Sequence, residues 1–374
     1  MPFGTFTVVQ KQFLYAPGLD YLTDHRNWLL AQNTGYDKFG RPYPSDNNYG
    51  DNHCAYEAGN VQRRIGTMRD LARFVNKDAL HEAYFNAALL LSNWKAKVDA
   101  GNPYRDIYTR QGAFGTLGDP NLLALVSEVA TRALQTVWRQ KWIVNRRLRP
   151  EAYGGLMQVQ RLGHDGGAGL VKRADGLPDW VFETEAAQAI LEQRHECSEA
   201  DAYFLPMAFT AGSPTHPAYG AGHATVAGAC VTVLKAWYQE DDLIAPMIKA
   251  ASHPQTRAKL DVVQPMKTTG ELPAYVGTDM DAMTVGGELN KLASNVAIGR
   301  SVGGVHWRTD NTRSLRLGEQ IGTIMLAWLI AELTENPVSV TYTNFDRHEV
   351  RIDKTGVQVT GNPLLQGIYD TILP

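Results

Sequence analysis

Cysteine is scarce here. Only Cys54, Cys197 and Cys230 occur in 374 residues, far apart. Three scattered thiols cannot build a disulfide framework or a zinc knuckle, so buried thiols are expected. A one-sided charge is lacking as well. The formal net charge of -3 gives no electrostatic reason to expect nucleic acid or an anionic membrane as partner. No basic segment leads into an apolar one at the start, Met1-Pro2-Phe3-Gly4-Thr5-Phe6. A cytoplasmic protein, or a processed form of an exported one, is therefore expected. The longest apolar stretches, around Ala224 to Tyr238 and Gly322 to Leu333, fall short of the ~20 residues a spanning helix needs, so they read as buried helices of a soluble protein. Internal repeats and low-complexity tracts are also missing.

Apolar side chains make up 44% of the chain, enough for one large core or two modest ones. Residues 1 to 60 are rich in Gly, Pro, Asn and Asp and read as an irregular lead-in with one short helix near Leu22 to Gln32. Helix is expected over Val61 to Val75, then again after Asn76 as N-cap, where Leu80, Ala83, Tyr84, Ala87, Leu90, Leu91 and Trp94 keep a helical stripe. A Gly-rich connection over residues 100 to 118 is closed by Asp119-Pro120, an N-cap followed by a proline. The long helix that follows, to about Arg147, turns strongly basic at its end.

Gly154 to Gly176 looks like loop, Ala186 to Arg194 like a short helix, and His223 to Gln239 like a central helix apolar on nearly every face. Residues 251 to 285 form a punctuated surface excursion, and helix resumes at Gly287 to Val302 and Asn311 to Glu335. Period-two alternation in Val338 to Tyr342 and Glu349 to Ile352 predicts a small β-hairpin. The expectation is a mainly α protein: a lead-in over 1-60, a helical-bundle domain over 61-336 and a C-terminal β-arm over 337-374.

Three clusters carry chemistry. In the first, Lys141 and Arg149 lie eight residues apart, about two turns and roughly 80° around a helix. Both reach one anion only if the helix ends near Arg147 and Pro150 turns the chain, as the bias of a residue before proline allows. Alone, the cluster reads more readily as a solvated basic helix end.

The second cluster is the loop Ser213-Pro214-Thr215-His216-Pro217-Ala218-Tyr219-Gly220-Ala221-Gly222-His223, which runs into a helix. Helix N-termini offer free N–H groups and a positive dipole end, a natural anion site that also favours a neutral imidazole at His223. The third cluster, Gly299-Arg300-Ser301-Val302-Gly303-Gly304-Val305-His306-Trp307-Arg308-Thr309-Asp310, puts a guanidinium, an imidazole and a carboxylate at i, i+6 and i+10. Asp310 there could fix the tautomer of His306. Together the clusters form a cage of guanidinium, ammonium and backbone donors suited to phosphate or vanadate.

The order Lys-x7-Arg-Pro, Gly-His and Gly-Arg-x5-His-x3-Asp resembles the vanadium-dependent haloperoxidase and type 2 phosphatidic acid phosphatase superfamily. Asp78-Ala79-Leu80-His81-Glu82-Ala83-Tyr84, Glu128-Val129-Ala130-Thr131-Arg132-Ala133, Arg146-Arg147-Leu148-Arg149-Pro150-Glu151 and Ser213-Pro214-Thr215-His216-Pro217 carry a finer likeness to the bromoperoxidases of algae and cyanobacteria. Algal members are longer at the N-terminus, so a compact relative or a trimmed form is expected.

The resemblance implies a helical bundle that binds vanadate. His306 would be the ligand to the metal, with Lys141, Arg149, Arg300 and the Gly222 N–H on the oxygens. His223 would be the acid–base residue and His216 a second pocket histidine. Hydrogen peroxide would be activated, with Lys141 polarising the oxidant that bromide attacks, and the product would halogenate an organic nucleophile. Homo-oligomers are implied too. The alternative within the superfamily is an acid phosphatase with His306 as nucleophile and His223 as general acid.

Some relatives hold a structural calcium in the loop corresponding to residues 102 to 118, where Asp106 and Asp119 are a sparse acidic set. One departure stands out. The family's Pro-Ser-Gly-His is here Gly220-Ala221-Gly222-His223, so a serine hydroxyl is replaced by a methyl at Ala221. Losing a hydrogen bond to a charged group weakens a site by roughly 1.5–3 kcal/mol if nothing replaces it.

Overall fold

The computed structural model describes residues 2–3, 6–14, 18, 20–34, 62–105, 112–162, 176–193, 203–208, 212–253 and 257–373. Most of the expected lead-in, with Cys54, lies outside the described residues, as do Cys197 and Asp106. Two short antiparallel ladders precede the bundle: β1 (Pro2–Phe3) with β2 (Phe6–Thr7), and β3 (Gln12–Phe13) with β4 (Gln62–Arg63). Between β3 and β4 in the chain lies α1 (His25–Thr34).

The helix expected from Val61 begins later, as α2 (Met68–Lys77). Its start is set by a capping box, in which Thr67 accepts from the Asp70 N–H and Asp70 accepts from the Thr67 N–H. Asn76 is therefore no N-cap; it sits in the last turn of α2. The next helix, α3 (Glu82–Asn93), has His81 at its N-cap.

The long helix α4 (Asp119–Arg139) starts one residue early, with Gly118 at the N-cap, and the Asp119 carboxylate takes a bond from the Ser92 hydroxyl instead. Leu122, Leu125, Val126, Val129, Ala133 and Val137 form its buried stripe. From Gln140 to Asn145 it widens into a π-helix that ends at Arg146, whose φ is 45°. Bulged helix of this kind re-aims side chains and recurs at functional sites.

The stretch from Gly154, read as loop, is instead helical as far as Leu162, in α5 (Pro150–Leu162). The two glycines that argued for a turn are contact points. A Cβ on Gly155 would fall on the Trp28 ring, and one on Gly154 would stand 2.6 Å from the Tyr203 carbonyl oxygen. A short helix, α6 (Glu185–Gln193), follows.

The centre is α7 (Gly222–Trp237), buried at every position from Ala224 on. It packs chiefly on α10 (Arg308–Glu332), α4 and α9 (Val285–Val302), and α8 (Ile244–Ala250) lies between α7 and α9 in the chain. The close approach of α7 and α10 depends on glycine. A Cβ on Gly318 would fall on the Thr225 carbonyl, and one on Gly228 on the Leu315 carbonyl. Cys230 is buried on α7, as a structural thiol should be.

The expected hairpin gains a third strand. β5 (Ser339–Thr343), β6 (Glu349–Asp353) and β7 (Gly356–Val359) form an antiparallel meander followed by α11 (Pro363–Ile372). Inward-facing Val340, Tyr342, Val350 and Ile352 join the same core as α7 and α10. Beneath the sheet, the buried Lys235 ammonium bonds the Thr343 carbonyl, Glu240 accepts from the Thr343 N–H at 2.6 Å, and Glu319 accepts from the Phe345 N–H at 2.8 Å. Among the described residues no helix is long and apolar enough to cross a membrane.

Candidate oxyanion site

The π-helix carries Lys141 into the protein interior, where it is fully buried while the flanking Trp142 and Ile143 stay exposed. Its ammonium donates to the carbonyls of Pro217 (2.8 Å) and Ala218 (3.2 Å), so the first cluster meets the second. Burial, with the nearby Arg149 charge, pushes the Lys141 pKa down to about 7.

Arg149 lies just past the left-handed turn at Arg146 and ties all three clusters together. Its Nε donates to the His216 carbonyl at 2.9 Å, Nη1 to the Val305 carbonyl at 2.9 Å, and Nη2 to the Pro217 carbonyl at 3.3 Å. Nη1 also stands 3.0 Å from His306 Nε2, and Nη2 3.0 Å from His216 Nδ1. A guanidinium can only donate, so both ring nitrogens accept and both imidazoles are neutral. Burial and the Arg149 charge act in the same direction, taking His216 down to about 3 and His306 well below the usual histidine range. His216 is also stacked obliquely on Trp138, ring centres 4.7 Å apart.

With Nε2 accepting, the His306 proton sits on Nδ1 and donates to Asp310 Oδ2 at 3.0 Å. Asp310 is wholly buried and accepts two further bonds, from the Trp307 N–H (3.0 Å) and from Arg147 Nη1 (2.9 Å). Burial raises its carboxyl pKa, a shift that the Trp307 and Arg147 donors offset only in part. Gly304, at φ +83°, makes the turn between Arg300 and His306. Arg300 is buried on α9 and donates to the Val75 carbonyl at 2.9 Å, with Asn76 Oδ1 at 3.5 Å.

At the start of α7, Ala221 is the N-cap residue with no side-chain cap, and its N–H is held by Ser314 Oγ at 2.8 Å. Gly222 opens the helix, and His223 follows with Nε2 2.9 Å from Asp78 Oδ1. A cavity of about 320 Å³ between residues 9–13 and α2 has Asp78 in its lining.

Lys141, Arg149, His216 and His306 thus converge with Arg300, whose charge lowers the pKa of all four, while His223 pairs with Asp78. Sequence reasoning gave no role to Asp78, Arg147, Trp138 or Ser314. Asp78 and Arg147 stood within the phrases that carried the resemblance, and that was the available signal. In the proposed calcium loop Asp119 is bound to Ser92, and among the described residues no group of three His, Cys, Asp or Glu could hold a metal ion.

A family model, the VCPO second helical-bundle domain, matches residues 184–333. The vanadium-dependent bromoperoxidases of Corallina officinalis and Corallina pilulifera are each 36% identical over 365 residues, 96% of this chain and 54% of theirs. That of Ascophyllum nodosum is 34% identical over 322 residues, 85% of this chain and 51% of its own. The chain therefore spans about half the length of the curated relatives it matches. The solved homohexameric structure of the second vanadate-dependent bromoperoxidase from Ascophyllum nodosum superimposes with a TM-score of 0.72 at 27% identity, covering 96% of this chain and 58% of that one. Similar in sequence and in fold over almost all of its length, the chain belongs to the vanadium-dependent haloperoxidase family.

Proposed function

We propose that this chain is a vanadate-dependent haloperoxidase that oxidises bromide with hydrogen peroxide to a hypohalous-acid species, which halogenates organic nucleophiles. The observation that carries the reading is the donor set: three buried cations, Lys141, Arg149 and Arg300, around the neutral imidazole of His306, which the buried Asp310 carboxylate holds. Buried like charges depress one another's pKa, and an oxyanion among them would relieve that cost. The residues present fit vanadate in both charge and ligand type. When bound, it supplies a Lewis-acidic V(V) centre that activates peroxide without changing oxidation state.

Each remaining role falls to the chain itself. His306 offers the Nε2 lone pair as metal ligand, and Asp310 holds the ring in that tautomer. Lys141, Arg149, Arg300 and the Gly222 N–H bind the oxygens. His223, held by Asp78, moves the proton of the incoming peroxide. His216 lines the pocket as a neutral imidazole, fixed by Arg149 and Trp138.

Residues 61-336 carry this machinery, with 1-60 as lead-in and 337-374 as the arm that closes the core. The homohexameric relative supports a homo-oligomer, and gel filtration checks it. An acid phosphatase would use the same cage with His306 as nucleophile, but the named bromoperoxidase relatives weigh against it. The two readings separate in one assay. A haloperoxidase brominates a phenol indicator only when orthovanadate is added and loses activity to competing phosphate, whereas a phosphatase hydrolyses an aryl phosphate steadily and is inhibited by vanadate.

A further inference from the structure

Resting on the anion site proposed above, we infer that Arg147 is a positioning residue of that site: it stands outside the cage and fixes His306 through Asp310. Its Nη1 donates to Asp310 Oδ1 and to Thr309 Oγ1, both at 2.9 Å. The other oxygen of the same carboxylate takes His306 Nδ1–H and the Trp307 N–H, each at 3.0 Å. Asp310 is thereby gripped on both oxygens. Removing Arg147 leaves a buried carboxylate with one oxygen unpaired, free to tilt and take the imidazole with it.

The same residue also braces the facing loop. The Arg147 carbonyl accepts the Ala218 N–H at 2.9 Å, and its guanidinium carbon lies 5.0 Å over the Tyr219 ring. That loop leads from His216 to Gly222. The left-handed Arg146, at φ 45°, turns the chain out of the π-helix and places Arg147 between the second and third clusters. Its side chain is 44% exposed while that of Asp310 is 0% exposed, so one end of the relay is anchored at the surface and the other at the ligand. An ordinary surface ion pair contributes little, so a merely structural Arg147 would leave the imidazole and the anion affinity unchanged.

Two readouts test this on the full chain. One is the pair of ring ¹⁵N shifts of His306 in vanadate-free protein; the other is the dissociation constant for orthovanadate by calorimetry. Arg147→Met is expected to move the His306 shifts toward a tautomer-averaged pattern and to weaken orthovanadate binding roughly ten-fold. Arg147→Lys should restore part of both, and Arg147→Met should add little in an Asp310→Asn background, because both changes act on one relay. Unchanged His306 shifts in Arg147→Met, or equal effects in the two backgrounds, overturn the inference. If wild type fails to bind orthovanadate while Arg147→Met still moves the shifts, the proposed function falls and the positioning role stands. Should Arg147→Met not fold, Arg147→Lys gives the same shifts in smaller measure, and no change there counts against the inference.

Discussion

Asp310 caps the helix that follows His306 and orients His306 with the same oxygen: Oδ2 accepts the Trp307 N–H at the start of α10 and His306 Nδ1–H, both at 3.0 Å. Ligand geometry and helix start are therefore one constraint. Asp310→Asn keeps the shape but replaces one acceptor oxygen with a donor. Orthovanadate affinity should fall about 10- to 100-fold, with a stability loss of about 1 kcal/mol. Equilibrium dialysis and thermal melting measure the two effects separately.

Ala221 is where the chain departs from its family, and it is the uncapped N-cap of α7. Ala221→Ser supplies a hydroxyl at that position. Affinity for orthovanadate should rise by roughly 10- to 150-fold, the equivalent of about 1.5–3 kcal/mol for a hydrogen bond to a charged group. A calorimetric titration showing equal or weaker binding would mean that the anion does not meet this side chain.

Lys141 titrates near 7 in the folded chain against 10.5 for its ordinary value. Between those values the unfolded chain binds more protons, so vanadate-free protein should gain stability as pH rises from 7 toward 10.5. Lys141→Met should remove that slope, stabilise the vanadate-free protein at pH 7 by on the order of 2–4 kcal/mol and abolish anion binding. Denaturant midpoints at pH 7 and 9 check the slope.

Glu319 works in the opposite direction. Burial beneath the C-terminal sheet pushes its pKa up to about 7, although Lys235 opposes that shift. The folded chain then binds more protons than the unfolded one between 4.5 and 7, so stability contributed there is lost as pH rises through that window. Glu319→Gln, which still accepts from Phe345, should flatten the loss, worth about 3 kcal/mol at most. Thermal melts from pH 4.5 to 8 that fall equally in both proteins would contradict this assignment.

The sequence made the bundle and the cage legible because both rest on local signals. Helical periodicity marked α3 and α4, an apolar character on nearly every face marked α7, and the three clusters are short stretches around Lys141, His223 and His306. What escaped notice depends on contacts distant in sequence. Asp78 meets His223 across 145 residues, and Arg147 meets Asp310 across 163. Gly154 and Gly155 suggested a turn because their use, close approach by Tyr203 and Trp28, exists only in the folded chain. Arg147 itself looked like one more charge on a basic helix end until the left-handed Arg146 set its direction.

Under the proposed function, this cage becomes a bromide-oxidising centre when vanadate enters it. The direct measurement adds orthovanadate to vanadate-free protein with hydrogen peroxide and bromide and follows bromination of a phenol indicator, with His306→Ala alongside. Activity should appear with vanadate in wild type and be absent from the variant. No gain over His306→Ala would contradict the account.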